Sequence, residues 1–407
     1  MTLWKKTLLA LSCSGLLLLS ACNDDDDPYY GSYLGESSYA HTGLAEANQT
    51  TIMRYMMPNV IGNAVPATAL VMTPKTPRPA DGWRVVVWEH GTVGSGDHCA
   101  PSHNSLNPRF SILAKSLLDA GYVIVAPDYE GLGVPGIHPY LHLKSAAQSA
   151  RYAVKAYKER YAGQVEGSWM SVGQSQGGHA SLATAEYAAP DRSYLGAVAA
   201  APASSLGYII QEVAPGLLAQ VWAQEQAGQL PAGSAAAGYA ELLAYAAYTL
   251  TGVQAELPDF NYYDVLKPRI HALTDAAKGT TGDNGLCMDD LSQQFTQDIL
   301  SFVQENPGTT VLDYPALVED FDQHPVVAKF LIENQPATKP IPTPVMIVQG
   351  KLDMAVPYPV TAALAQELEL MGTEVELHLV ENATHTAAIV LKNDEIVQFI
   401  QKHMPAK

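Results

Sequence analysis

From about residue 84 the chain alternates short, continuously apolar runs with longer segments whose apolar residues recur at helical spacing. A continuous apolar run of about four to eight residues marks a strand covered on both faces, whereas a half-exposed strand alternates. The pattern predicts strands at 84–89, 122–127, 169–173 and 195–201, and helices near 106–120, 144–161 and 177–188. Strand and helix in turn imply a mostly parallel sheet with helices on both faces. Two earlier segments, 51–57 and 67–72, read as antiparallel edge strands. The rhythm stops at Ser204. From there to about Glu333 the chain is alanine-rich and helical, for example over 235–248, with Gly and Pro breaks. It resumes at Val345 with a run to Gly350, then with 374–380, where alternation sets Val375, Leu377 and Leu379 toward the core and Glu374, Glu376 and His378 away from it.

The beginning of the chain follows a different pattern. Lys5-Lys6 precede an apolar run from Thr7 to Leu19, the length of a signal h-region and too short to span a bilayer. The run closes on Leu19-Ser20-Ala21-Cys22, similar to a bacterial lipobox. Cleavage there leaves Cys22 first and lipidated, a stable membrane anchor. The alternative is an ordinary secretory signal with a chance cysteine. Asn23 does not mark inner-membrane retention, so the expected location is the bacterial cell envelope, on the outer membrane. The expected organisation is a signal peptide at 1–21, a solvated tether at 22–48, the first part of a core at 49–203, a helical cap at 204–333, and the rest of the core at 334–407. With 23 basic against 41 acidic residues, the formal charge is −18, which argues against nucleic acid and against electrostatic binding to anionic lipid.

Candidate chemistry centres on Gly173-Gln174-Ser175-Gln176-Gly177, set between the strand at 169–173 and a helix. A serine on a strand–turn–helix of this kind is the nucleophile elbow of α/β-hydrolases. The flanking glycines are required because a Cβ there would strike the adjoining strand and helix. The pentapeptide alone also fits a plain glycine-rich turn; its setting favours the elbow. Serine needs a base and the base needs an orienting carboxylate, in the order Ser, acid, His. Asp353 ends the strand at 345–350, and His385 sits on the loop after the next strand. There the loops of a parallel sheet meet the ligand. Glu381 is the runner-up acid, four residues from the histidine. His378 lies on the exposed face, and His98 and His103 precede the serine, out of order for this fold. The oxyanion donors expected are the N–H of Gln176 and one from the strand end Glu89-His90-Gly91-Thr92, where Gly91 admits the substrate and Thr92 or its neighbour supplies the amide.

Removing Cys13 with the signal and committing Cys22 to lipid leaves Cys99 and Cys287, which are either one disulfide or two free thiols. No cofactor and no metal are expected: His98, Cys99 and His103 lack the spacing of a zinc site, and Asp289-Asp290 reads as a solvated pair. Tyr245, Tyr248, Phe260, Tyr262 and Tyr263 are candidate pocket aromatics, though each also suits simple packing.

With Glu89-His90-Gly91-Thr92, Asp97-His98-Cys99-Ala100-Pro101-Ser102, Pro127-Asp128-Tyr129-Glu130-Gly131-Leu132-Gly133, the elbow, and Gly350-Lys351-Leu352-Asp353, the chain resembles the secretory lipase family of α/β-hydrolases from about residue 50. The resemblance implies ester hydrolysis through an acyl-enzyme, no metal, a small-molecule or lipid ester as substrate, a cap over the acyl site, and a bridge from Cys99 to Cys287. The lipid anchor departs from freely secreted members and favours a cell-attached esterase. Two other readings stand beside it: a peptidase or amidase using the same triad, with Glu130 or cap acids binding an amine, and a catalytically silent binding module.

Overall fold

The structure, a computed structural model, describes residues 29–406. The signal segment, Cys22 and the start of the tether lie outside the described residues. Among those described, no helix is long and apolar enough to cross a membrane.

Among the described residues, nine strands form one sheet: β1 (Tyr33–Ser38), β2 (Ala47–Pro58), β3 (Ala64–Pro74), β4 (Trp83–Glu89), β5 (Val123–Pro127), β6 (Val165–Gln174), β7 (Tyr194–Ala200), β8 (Val345–Gly350) and β9 (Val375–Val380). Their order is β1-β2-β3-β5-β4-β6-β7-β8-β9. β1, β2 and β3 run antiparallel, β3 joins β5 antiparallel, and every later pairing is parallel. The sheet thus begins at Tyr33, inside the stretch expected to be tether. That expectation is corrected: β1 pairs with β2 from Tyr33 to Ser38, and Tyr30 and Tyr39 on either side of it are buried. Consequently β1 holds the edge, and the two segments read as edge strands lie inside it.

Alternation divides the apolar runs between two cores. Val85, Val87, Val123, Val125, Ala197, Ala199, Val345 and Ile347 face one side, covered by the helices Leu143–Arg160, Gln176–Tyr187 and Tyr358–Leu370. Val86, Ile124, Met170, Val172, Val198, Met346 and Val348 face the other, covered by Pro108–Asp119 and Asn393–His403. On the last strand Val375 and Leu377 pack inward, but Leu379 is 36% exposed.

Between β7 and β8 the main elements are helices: Ala214–Gln226, Ser234–Glu256, His271–Lys278, Met288–Glu305 and Pro325–Glu333, with short helical turns between. All but the first of these helices share a third core that includes Leu243, Ala247, Tyr248, Leu291, Phe295 and Phe330. The chain enters and leaves this region through a neck, where the Ser205 N–H donates to Gln335 Oε1 at 2.6 Å. The loop after β4 is also stapled to the cap. Cys99 and Cys287 form a disulfide, Gly94 bridges Cys287, and the Met288 N–H donates to the Val93 carbonyl at 2.9 Å.

Candidate active site

β6 delivers Ser175 to a sharp turn before the helix Gln176–Tyr187. Its φ of 61° and ψ of −117° are strained for a residue with a side chain. The backbone around it leaves no room for a side chain at the flanking glycines. A Cβ on Gly173 would strike the Gly177 carbonyl, and one on Gly177 would strike the Glu89 carbonyl. The Ser175 N–H donates to the Ala200 carbonyl at 2.9 Å, which ties the turn to the end of β7.

Ser175, Asp353 and His385 come together although 210 residues separate the serine from the histidine. His385 Nε2 lies 2.9 Å from Ser175 Oγ, and its Nδ1 lies 2.8 Å from Asp353 Oδ2. Asp353 follows β8 in a buried corner. Its Oδ1 accepts from the N–H groups of Ala355 and Val356 at 2.9 and 2.8 Å, and its Oδ2 also accepts from Gln349 Nε2 at 2.9 Å. Four donors on one carboxylate fix its orientation and aim it at the imidazole. Gln174 Nε2 donates to the His385 carbonyl at 3.2 Å and steadies the histidine loop. Glu381, by contrast, is an exposed partner of Lys351, and His378 pairs with Glu376.

Two of the expected oxyanion residues, Gln176 and Gly91, lie beside the serine. Gln176 opens the helix Gln176–Tyr187, whose first amides have no partner within the helix. Gly91 lies against the elbow: a Cβ on it would sit 3.7 Å from Ser175 Cβ. The loop after β5 supports both positions. His138 Nδ1 donates to the Glu130 carbonyl at 2.8 Å, leaving Nε2 to accept from Gln176 Nε2 at 2.9 Å. Burial pushes the His138 imidazole down to about 4, so it stays neutral and keeps that lone pair. Thr92 Oγ1 lies 2.7 Å from Tyr140 Oη. Asp128 pins the Cys-Ala-Pro-Ser loop by accepting from the Ser102 N–H at 2.9 Å, which brings two of the family-like segments into contact.

Ser175 opens into a cavity of about 910 Å³ under the cap, lined chiefly by Leu206, Ile210, Leu218, Leu243, Val327 and Leu331. Of the aromatics proposed for such a pocket, only Tyr245 lines it. Tyr248, Phe260 and Tyr262 belong to the cap core, and Tyr263 lies outside, stacked on His271. Tyr140, Tyr239 and Tyr314, not singled out from the sequence, take their place. Glu130 is not in this cavity. Its carboxyl accepts from Ser145 and from the Val60 N–H, and burial pushes it up to about 7. It cannot serve as an amine ligand beside Ser175, so that part of the peptidase reading is corrected. Among the described residues, the one cluster with metal-ligand geometry is His98, Cys99 and Cys287, but its two sulfurs are bonded to each other.

A mostly parallel sheet with a serine elbow at its carboxyl edge is the α/β-hydrolase fold. Residues 109–230 match the family Secretory lipase, and residues 320–406 match the Prolyl oligopeptidase family. No curated protein sequence matches the chain. Candida antarctica lipase A in its closed state superposes with a TM-score of 0.64 at 17% identity, over 94% of this chain and 86% of that one. The rice cell wall degrading esterase LipA from Xanthomonas oryzae gives 0.63 at 16%, over 92% and 98%. A putative hydrolase from Legionella pneumophila gives 0.61 at 19%, over 92% and 97%. These findings support a secretory-lipase-family α/β-hydrolase, and with it an ester hydrolase.

Proposed function

We propose that the chain is a serine carboxylic ester hydrolase that works through an acyl-enzyme on esters with an aliphatic acyl group. One observation carries the reading: Ser175 Oγ, 2.9 Å from His385 Nε2, faces a large and mainly aliphatic cavity. Ser175 Oγ attacks the ester carbonyl carbon while His385 Nε2 takes the hydroxyl proton. The carbonyl oxygen becomes an oxyanion held by the amides of Gln176 and Thr92. Collapse expels the alcohol, which receives the proton from His385. Water then attacks the acyl carbon with His385 again as base, and the acid leaves with Ser175 restored. Throughout, Asp353 fixes the imidazole with Nδ1 protonated and stabilises its charged form.

Each buried methylene contributes about 0.8 kcal/mol. The p-nitrophenyl octanoate should therefore exceed the acetate in kcat/KM by at least about 10-fold. Ser175→Ala should lose kcat on the order of 10⁴-fold and escape labelling by a fluorophosphonate; a variant keeping a tenth of the rate would refute the nucleophile. Asp353→Asn should be nearly as damaging, and Glu381→Gln close to silent.

The peptidase reading draws support from the prolyl oligopeptidase match, which spans Asp353 and His385. The apolar lining favours acyl esters, and aminoacyl anilides hydrolysed faster than the esters would reverse that choice. We also propose that Cys22 is lipidated and holds the enzyme on the bacterial cell envelope. Fatty-acid labelling of the wild type, lost in Cys22→Ala, tests this; unlabelled wild type excludes it.

A further inference from the structure

Tyr140 occupies an unusual place. It belongs to the loop after β5, its ring lies 5.9 Å from that of cap residue Tyr248, and it lines the cavity with Ser175. The side chain is buried, at 3% exposure. Its backbone is clamped from above, because a Cβ on Gly252 of the cap helix Ser234–Glu256 would sit 2.7 Å from the Tyr140 nitrogen. Among the described residues, the Tyr140 and Thr92 hydroxyls are each other's one hydrogen-bond partner, at 2.7 Å.

Two hydroxyls share one hydrogen bond, so one proton is left over. The phenol is by far the more acidic and the threonine hydroxyl the better acceptor, so Tyr140 donates. The Thr92 proton is then free for a third atom. Thr92 follows Gly91, which lies against Ser175, in the loop expected to face the substrate carbonyl. In the resting enzyme this proton has no protein acceptor. An oxyanion growing on the substrate provides one, so the bond strengthens as charge develops, which is the condition for lowering a barrier rather than merely binding.

Resting on the ester hydrolase reading, we infer that the Thr92 hydroxyl is a third donor of the oxyanion hole and that Tyr140 is the positioning residue that aims it. The cap thereby reaches the reaction centre through Tyr140. Catalytic rate and cap seating are coupled through a single phenol.

The test uses the full chain with p-nitrophenyl butyrate as substrate and an alkylboronic acid as mimic of the tetrahedral adduct. Thr92→Val should lower kcat about 100-fold with KM within about two-fold, and should weaken the boronic acid by a similar factor. Thr92→Ser, which keeps the hydroxyl and loses the methyl, should keep at least a third of the rate. Tyr140→Phe should cost about 10-fold in kcat alone and less than two-fold in a Thr92→Val background, because it acts through a hydroxyl no longer there. A folded Thr92→Val with kcat within about three-fold of wild type overturns the inference. Equal losses from Tyr140→Phe in both backgrounds overturn it too. If Thr92→Val does not fold, Thr92→Ala is judged by the same thresholds. Failure of the parent reading looks different: wild-type protein then resists fluorophosphonate and Ser175→Ala hydrolyses ester as fast as wild type, which removes both proposals.

Discussion

The turn that carries Ser175 and the segment from Leu206 to Gln226 face the same cavity, yet they are held in opposite ways. Around the serine, backbone packs on backbone: Gly173 and Gly177 leave no room for a methyl group, and every residue from Gln176 to Ala185 is buried. Across the cavity, the helix Ala214–Gln226 buries none of its residues, and Ile209 is the one buried position in the turns before it. Leu218, which lines the cavity, is only half-buried. Reaction geometry is therefore set by backbone that admits no substitution, and substrate shape by side chains that can be exchanged one at a time. Between these extremes sits the disulfide seam, where one covalent bond and several backbone hydrogen bonds tie the loop after β4 to the cap.

That contrast can be broken at several points. The largest effect belongs to Gly177→Ala, whose methyl would collide with the Glu89 carbonyl. It should cost on the order of 4 kcal/mol in urea unfolding; a loss under about 1 kcal/mol would mean the elbow is softer than its packing implies. Next comes the seam. Replacing Cys99 and Cys287 together by serine opens a link between residues 188 positions apart and should cost about 3 kcal/mol. Urea titration of the two proteins measures it, and equal midpoints would show that the bridges at Gly94 and Val93 hold the cap by themselves.

A smaller effect sits in the loop beneath the elbow. Burial raises the Glu130 carboxyl from 4.5 to about 7, so the fold prefers its protonated form. The stability gained from that proton is complete below about pH 4.5 and is lost as pH rises through about 7. Glu130→Gln removes the titration. It should stabilise the protein at pH 8 by on the order of 2 kcal/mol and leave pH 4.5 nearly unchanged. Denaturation at both pH values decides, and a variant that weakens at pH 8 would show the carboxylate to be favoured instead. The smallest change in stability belongs to the exposed helix: Leu218→Trp should fill the cavity and shift the octanoate-to-acetate ratio by about 10-fold, with unfolding altered by less than about 0.5 kcal/mol. An unchanged ratio would remove that helix from the acyl site.

What could be read from the chain follows the same divide. Strands buried on both faces announce themselves as apolar runs, so β4 to β8 are legible from composition alone. β1 is not: Tyr-Leu-Gly-Glu-Ser-Ser lacks alternation, stays largely exposed, and is held by ladder hydrogen bonds to β2. Its presence at the edge moved two other strands inward, and no local pattern reports strand order. At the site, Ser175, Asp353 and His385 are visible because each stands just beyond a strand. Gln349 offers a fainter signal, a polar residue inside an apolar run, which the structure bonds to Asp353. His138 and Tyr140 offer none, since their partners lie 38 and 48 residues away. The cavity aromatics failed for a related reason: which side of a cap helix faces the core depends on neighbours the sequence does not name.

The neck of the cap bears on how such a chain is built. β7 ends at Ala200, and the strand that completes its far side, β8, begins at Val345. A polypeptide emerging from its amino end contains β7 and Ser175 long before β8, the strand that pairs with the far edge of β7, has been synthesised. The acid and the histidine arrive last. On the proposed triad, the nascent chain stays inert through most of its own synthesis and gains its reactivity only when the stretch from Val345 onward docks.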